Sequence, residues 1–223
     1  MRDLTSFITY LPLPVRYGMT IGELARLFNA EKNLGAKLHV VTMRRYERAM
    51  WFDQTGFAWV APSPNLRKLE QAVLYPGVGM IEGANVSVGR GTDTPFELMG
   101  APWIDGKALA DALQRARLAG VRFEAATFTP REWVYPGQQC QGVRFVVTDR
   151  NRLDTPLLGL ELMVGALSPA MATSFQIDRT LGMIGSRASL DAVKAQADPR
   201  DIARTWAPGL DEFRARRQPH LLY

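Results

Sequence analysis

Between Glu82 and Thr94 the chain carries Glu82, Asn85, Ser87, Arg90, Thr92, Asp93 and Thr94, a dense run of hydrogen-bonding side chains. Carboxylates accept from hydroxyls, the Asn amide both donates and accepts, and a guanidinium forks onto an anionic oxygen pair. Such a set suits a polyhydroxylated or anionic ligand. Gly83, Gly89, Gly91, Gly100, Pro95 and Pro102 interrupt any long helix or strand across 82–103. Glycine also lets backbone approach a ligand closely, because no Cβ intervenes. Phe96, Leu98 and Trp103 give the run apolar anchors, so it reads as a long, ordered polar loop. The alternative is a polar surface loop closed by its own internal turns.

This loop, with Arg16-Tyr-Gly-Met-Thr-Ile-Gly-Glu-Leu-Ala25, Pro62-Ser-Pro-Asn65 and the terminal Leu221-Leu-Tyr223, resembles the exo-β-N-acetylmuramidase family NamZ. The motifs run through the whole chain and are similar to the C-terminal part of the family pattern, so 1–223 is expected to be a NamZ-like C-terminal domain. The resemblance implies a partner, an N-terminal Rossmann-like domain in cis or on a separate chain, bearing a Glu-His-Gly motif with the proposed catalytic carboxylate. No Glu-His-Gly occurs here. The resemblance further implies a peptidoglycan-degrading glycosidase that removes terminal N-acetylmuramic acid, needs no metal or organic cofactor, and works in a secreted, periplasmic or cell-envelope setting. A non-catalytic carbohydrate-binding or assembly module of a split protein is the alternative.

Under that resemblance the candidate residues acquire roles. Glycoside cleavage usually takes two carboxyls flanking the bond, about 5–9.5 Å apart. Glu82 is the catalytic candidate on this chain, with Asp93 and Glu97 as further sources of one carboxyl and the second expected on the N-terminal half. Glu82 could instead position substrate or bond the amides of its own loop. Arg90 suits the lactyl carboxylate that distinguishes muramic acid from glucosamine; it could equally pair with Asp93 or Glu97. Asn85, Ser87 and Thr92 could hold sugar hydroxyls or the acetamido group, or bond nearby backbone as such residues do in turns. Arg16 and Tyr17 are candidates for the same cleft, while Thr20 is explained by helix capping. The five tryptophans read as core or interface residues, with Trp103 kept open because it closes the loop.

Other chemistries lack a basis in the residues. The loop has no Gly-Lys-Ser/Thr ending, so it is not a P-loop. With His39 and His220 the only histidines and Cys140 the only cysteine, neither a Ser-His-Asp triad, a Cys-based metal site nor an intramolecular disulfide is supported. Cys140 reads as a buried structural thiol. The net charge of +5 comes from 22 scattered arginines and five lysines, without the basic stripe and interleaved aromatics of a nucleic-acid module. No apolar run approaches the ~20 residues of a membrane span. Met1-Arg-Asp-Leu-Thr lacks the basic start and following apolar core that a signal peptide requires.

The elements that must position these groups are mixed. Residues 1–19 read as an extended approach, and Thr20-Ile-Gly-Glu23 as a capping box opening a helix to about Glu31. Strands are expected at Lys37–Met43 and Phe57–Val60, with helices at Arg44–Phe52 and Leu66–Leu74, the latter capped by Asn65. Asp105 should cap a helix reaching about Ala119 and stopped by Gly120. Strands follow at Val121–Phe128 and Gly142–Thr148. A helix starts at Thr155-Pro156 and ends near Leu167, and a last one starts at Asp198-Pro199 and is divided by Pro208. The pattern does not alternate as a parallel sheet would, so the expected fold is a single mixed α+β domain.

Overall fold

The computed structural model describes residues 11–168 and 171–223, and the first ten residues of the expected extended approach lie outside them. In chain order the elements are α1 (Ile21–Glu31), α2 (Leu69–Ile81), β1 (Leu98–Ala101), α3 (Gly106–Arg115), β2 (Val121–Phe128), β3 (Cys140–Val147), α4 (Thr155–Ala166), α5 (Leu181–Ile184), α6 (Arg187–Lys194), α7 (Pro199–Arg204) and α8 (Ala207–Arg217). The three strands form one antiparallel sheet in the order β1-β3-β2, pairing Met99 with Val143 and Phe123 with Phe145. The fold is therefore α+β, as expected.

Local chemistry sets most boundaries. Thr20 and Glu23 form the reciprocal capping box of α1, and Asp105 caps α3 through Ala108 N–H at 2.9 Å. The cap of α4 sits one residue earlier than expected: Asp154 Oδ1 accepts from Leu157 N–H at 3.1 Å, so Pro156 lies in the first turn. Pro208 sits in the first turn of α8, after the break that ends α7. Gly120, at φ +80°, turns the chain into β2.

The core is one apolar cluster built from α2, the sheet, α3, α4 and the helices after it. At its centre α2 lies against α4 at backbone distance. A Cβ on Gly77 would stand 2.1 Å from Thr155 O, and one on Gly159 would stand 2.7 Å from Gly77 O. That contact explains why α2 continues through Pro76 to Ile81 instead of stopping at Leu74. Proline removes one helical hydrogen bond, but close packing against α4 holds the next turn in place. Buried Cys140 has its thiol pushed up to about 11 by desolvation, consistent with a structural role.

A second, small cluster of Met19, Leu27 and Phe213 joins α1 to α8. Beside it lies Glu23, fully buried, which accepts from Arg48 Nη2 at 2.6 Å, from Thr20 N–H at 2.7 Å and from Leu222 N–H at 2.7 Å. Arg48 also donates to the Tyr223 carbonyl at 2.9 Å. The terminal Leu221-Leu-Tyr223 motif is thus tied to the start of α1.

Between α1 and α2 the expectations fail. Lys37–Met43 and Phe57–Val60 form no strand, because among the described residues neither finds a neighbour to complete a ladder. Arg44–Phe52 is not helical: Arg45 takes φ +58°, and Arg48 is drawn to Glu23. Asn65 is not the cap of α2, which starts four residues later; Asn65 N–H instead donates to Ser63 Oγ in a local turn, and Gln71 Oε1 accepts from Arg67 N–H ahead of the helix.

Two predictions follow from this packing. Gly77→Ala should lower stability by roughly 1–3 kcal/mol, read from urea unfolding, because two packed backbones must separate. Glu23→Gln should cost about 3 kcal/mol by leaving Arg48 without its charge partner. Burial raises the Glu23 carboxyl, but the bonds from Arg48, Leu222 and Thr20 outweigh it and hold it down to about 2, against an ordinary 4.5. Its contribution is therefore complete above about pH 4.5 and is lost as pH falls through about 2. Acid titration followed by circular dichroism should show that loss flattened in the Gln variant.

Candidate functional site

The polar ribbon is packed inward along most of its length. Ser87 and Gly100 exchange backbone hydrogen bonds at 2.8 and 2.9 Å, which closes the ribbon onto β1. Gly89 and Gly91 take φ +80° and +75° at its tip. A Cβ on Gly91 would stand 2.6 Å from Glu132 N, so glycine there lets the ribbon meet the loop between β2 and β3.

Most of the polar side chains serve this closure. Asn85 Nδ2 donates to Ser174 O at 2.8 Å, and its Oδ1 accepts from Gln176 N–H at 2.7 Å. Ser87 is buried and its Oγ accepts from Gly89 N–H at 3.3 Å. Thr92 Oγ1 donates to Gly89 O at 2.6 Å and accepts from Thr94 N–H at 3.1 Å. Asp93 pairs with Arg131 at 3.1 Å on the surface, and Glu97 accepts from Lys68 and Gln71, each at 3.0 Å. Ser87 and Thr92 bond backbone within the ribbon itself, whereas Asn85 bonds backbone distant in sequence.

Glu82 and Arg90 are different. Glu82, just past the end of α2, accepts from Arg90 Nε through Oε1, so the structural pair that Arg90 makes is with Glu82 and not with Asp93 or Glu97. The guanidinium carbon lies 5.1 Å from the Phe96 ring centroid and 5.2 Å from that of Trp133. Two rings and one carboxylate thus fix its plane, while neither terminal nitrogen of Arg90 has a partner among the described residues. The pair lines a cleft of about 670 Å³ together with Tyr75, Trp133 and Arg179. Among the described residues Glu82 is the only carboxylate that lines it.

The aromatic wall was not singled out from the sequence. Trp133 is 67% exposed, so it is not a core residue, and takes φ +74°. A bulky side chain in that region is uncommon and costs backbone strain, so its position is imposed by its loop. Tyr135, at φ +61°, holds that loop by donating to Asn85 O at 3.0 Å and accepting from Trp103 Nε1 at 3.0 Å. Trp103 is therefore a strut behind the ribbon, and Trp133 faces the cleft. Two aromatics inside the Pro/Gly-rich segment between β2 and β3 were the available signal.

Arg16 and Tyr17 do not join this cleft. Tyr17 packs on the Met19, Leu27 and Phe213 cluster, and Arg16 lines a neighbouring cavity with Asn151, Asp154 and Trp206. No group of three or more His, Cys, Asp or Glu able to hold a metal occurs among the described residues. No helix among them is long and apolar enough to cross a membrane.

The mixed α+β scaffold has known counterparts. Residues 73–223 match the family model described as the C-terminal part of the exo-β-N-acetylmuramidase NamZ, and residues 1–70 match its N-terminal part. A peptidoglycan β-N-acetylmuramidase NamZ from Bacillus subtilis (strain 168) is 37% identical over 223 residues, which is 99% of this chain and 54% of that protein. Crystal structures of two DUF1343 family proteins from Bacteroides fragilis superpose with TM-scores of 0.79 and 0.75 at 28% and 24% identity, each covering 98% of this chain and 59% of the other. The chain belongs to the NamZ exo-β-N-acetylmuramidase family. It spans about half the length of the curated relative it matches. The resemblance is not confined to the C-terminal part, as had been expected for 1–223, because the first 70 residues match the N-terminal model.

If Asn85 acts as a clamp, Asn85→Ala should lower stability by about 0.5–1.5 kcal/mol in chemical denaturation, since Ser174 O and Gln176 N–H lose a partner at a site open to water. Thr92→Val should cost a similar amount, since Gly89 O and Thr94 N–H lose their partner at a part-buried site.

Proposed function

We propose that this chain forms one wall of a cleft that receives a terminal N-acetylmuramic acid residue of peptidoglycan fragments, within a glycoside hydrolase of the NamZ kind. The observation that carries the reading is the Arg90 guanidinium, held by Glu82 beside Phe96 and Trp133, with neither terminal nitrogen hydrogen-bonded among the described residues. A guanidinium so fixed can grip a carboxylate end-on with two parallel bonds, at little further entropic cost. The lactyl group of muramic acid supplies such a carboxylate. Tyr75 and Trp133 offer ring faces for the apolar side of a sugar.

In this reading Glu82 orients Arg90 and does not act as the acid. Cleavage by the usual route takes two carboxyls across the bond. The cleft wall has one, and it is engaged. The acid and its companion are assigned to the Rossmann-like part of the family, linked in cis or carried on a separate chain. Asn85, Ser87 and Thr92 act by shaping the ribbon beneath the sugar.

Isothermal titration with N-acetylmuramic acid and N-acetylglucosamine tests this. Arg90→Ala should weaken the muramic sugar at least tenfold and leave the glucosamine sugar nearly unchanged. Trp133→Ala should weaken both alike. Equal loss for both sugars in the Arg90 variant would remove the carboxylate reading. The purified chain should show little turnover of a synthetic muramoyl glycoside, and robust turnover would return Glu82 to a catalytic role. The single engaged carboxylate also favours a second reading, a carbohydrate-binding module of a split protein; tight sugar binding that persists unchanged when the Rossmann-like part is added, with no turnover, would select it.

A further inference from the structure

The other unexplained surface lies between α1 and α2. No residue from 28 to 70 is buried, although the stretch contains Leu34, Leu38, Val40, Val41, Met43, Phe52, Phe57 and Val60. Nine of the eleven large hydrophobic residues exposed among the described residues lie between Val15 and Val60. The other two, Tyr75 and Trp133, belong to the cleft. Large apolar side chains left exposed in such number along one segment mark a contact that is made elsewhere.

Its backbone is equally unspent. Among the described residues, no hydrogen bond involves the N–H or C=O of any residue from Lys37 to Thr42. The stretch is nevertheless held at both ends. Asn29 bonds Ala36 O and Ala36 N–H, each at 2.9 Å, and Met43 N–H donates to the Tyr223 hydroxyl at 2.7 Å. Side chains between these ties alternate as in a strand. Ala36, Leu38 and Val40 line the cavity against α1, and Val40 Cγ1 is 2.6 Å from where a Cβ on Gly22 would stand. Val41 is 82% exposed. Alternation, β-branched residues and a pinned but unpaired backbone describe a strand awaiting its sheet.

We propose that Lys37–Thr42 is a docking strand, and that its occupant is the remainder of the NamZ N-terminal unit, which adds a neighbouring strand and covers Val41, Phe57 and Val60. Two observations favour this occupant over a second copy. The bare surface falls wholly within the residues that match the N-terminal family model. The chain covers only 54% of the Bacillus subtilis relative, so that relative has close to half its length available to supply the missing neighbours. Main-chain pairing supplies affinity in such additions, and the alternate side chains supply register. The inference rests on the family assignment and is independent of which sugar the cleft takes, so a failed sugar titration leaves it standing.

The test mixes the full 223-residue chain with the part of the Bacillus subtilis relative that it leaves uncovered, produced as a separate polypeptide, and follows amide hydrogen exchange. Lys37–Thr42 should exchange at near-unprotected rates in the chain alone and slow at least tenfold in the mixture. Val41→Asp, at a site exposed enough to leave folding intact, should weaken association at least tenfold. Lys107→Asp on α3 should not. Unchanged exchange in the mixture overturns the proposal. So does protection that grows with the concentration of the chain alone while its mass doubles by light scattering, which would make a second copy the occupant.

Discussion

The backbone contact between α2 and α4 at Gly77 and Gly159 is the constraint from which the cleft follows. It keeps α2 helical past Pro76, so Tyr75 and Glu82 stand on the same rigid rod at the cleft edge. Any side chain at Gly77 would push the rod away from α4, since its Cβ would meet a carbonyl oxygen at 2.1 Å. Interiors are packed too densely to absorb that locally. The position of the one carboxylate in the cleft is therefore set by a contact that contains no polar side chain.

The ribbon after α2 shows polar residues being used to build rather than to bind. Asn85, Ser87 and Thr92 satisfy backbone groups that a buried, irregular segment would otherwise leave unpaired. That satisfaction lets a ribbon with four glycines hold a single shape. Phe96, Trp133 and Glu82 then convert the rigidity into a fixed guanidinium plane. Its neighbours have thereby removed most of the freedom of the Arg90 side chain.

The two ends of the described chain meet in a different manner. Buried Glu23 gathers Arg48, the start of α1 and the backbone near Tyr223 into one charged knot. A buried carboxylate is tolerable only when fully bonded, and here every bond comes from a segment distant in sequence or from its own helix cap. The knot fixes Arg48 and Tyr223 while the segment between α1 and α2 stays outside the core.

Short-range chemistry made much of the fold legible. The capping box at Thr20, the caps at Asp105 and Asp198, the break at Pro208 and the β2–β3 pair follow from side chains meeting backbone within a few residues. That the ribbon is an ordered polar segment carrying Glu82 and Arg90 was also readable from residue types. What those groups bond to was not: the pairing of Arg90 with Glu82 needs the end of α2 folded beside the ribbon, and the place of Trp133 needs the β2–β3 loop laid over both. Strand formation at Lys37–Met43 was undecidable for the same reason, since a strand exists only with a neighbour. Sequence by itself determined what each segment can do with the atoms it carries, and tertiary structure alone decided which distant atoms arrive to meet them, because those encounters depend on packing across the whole core.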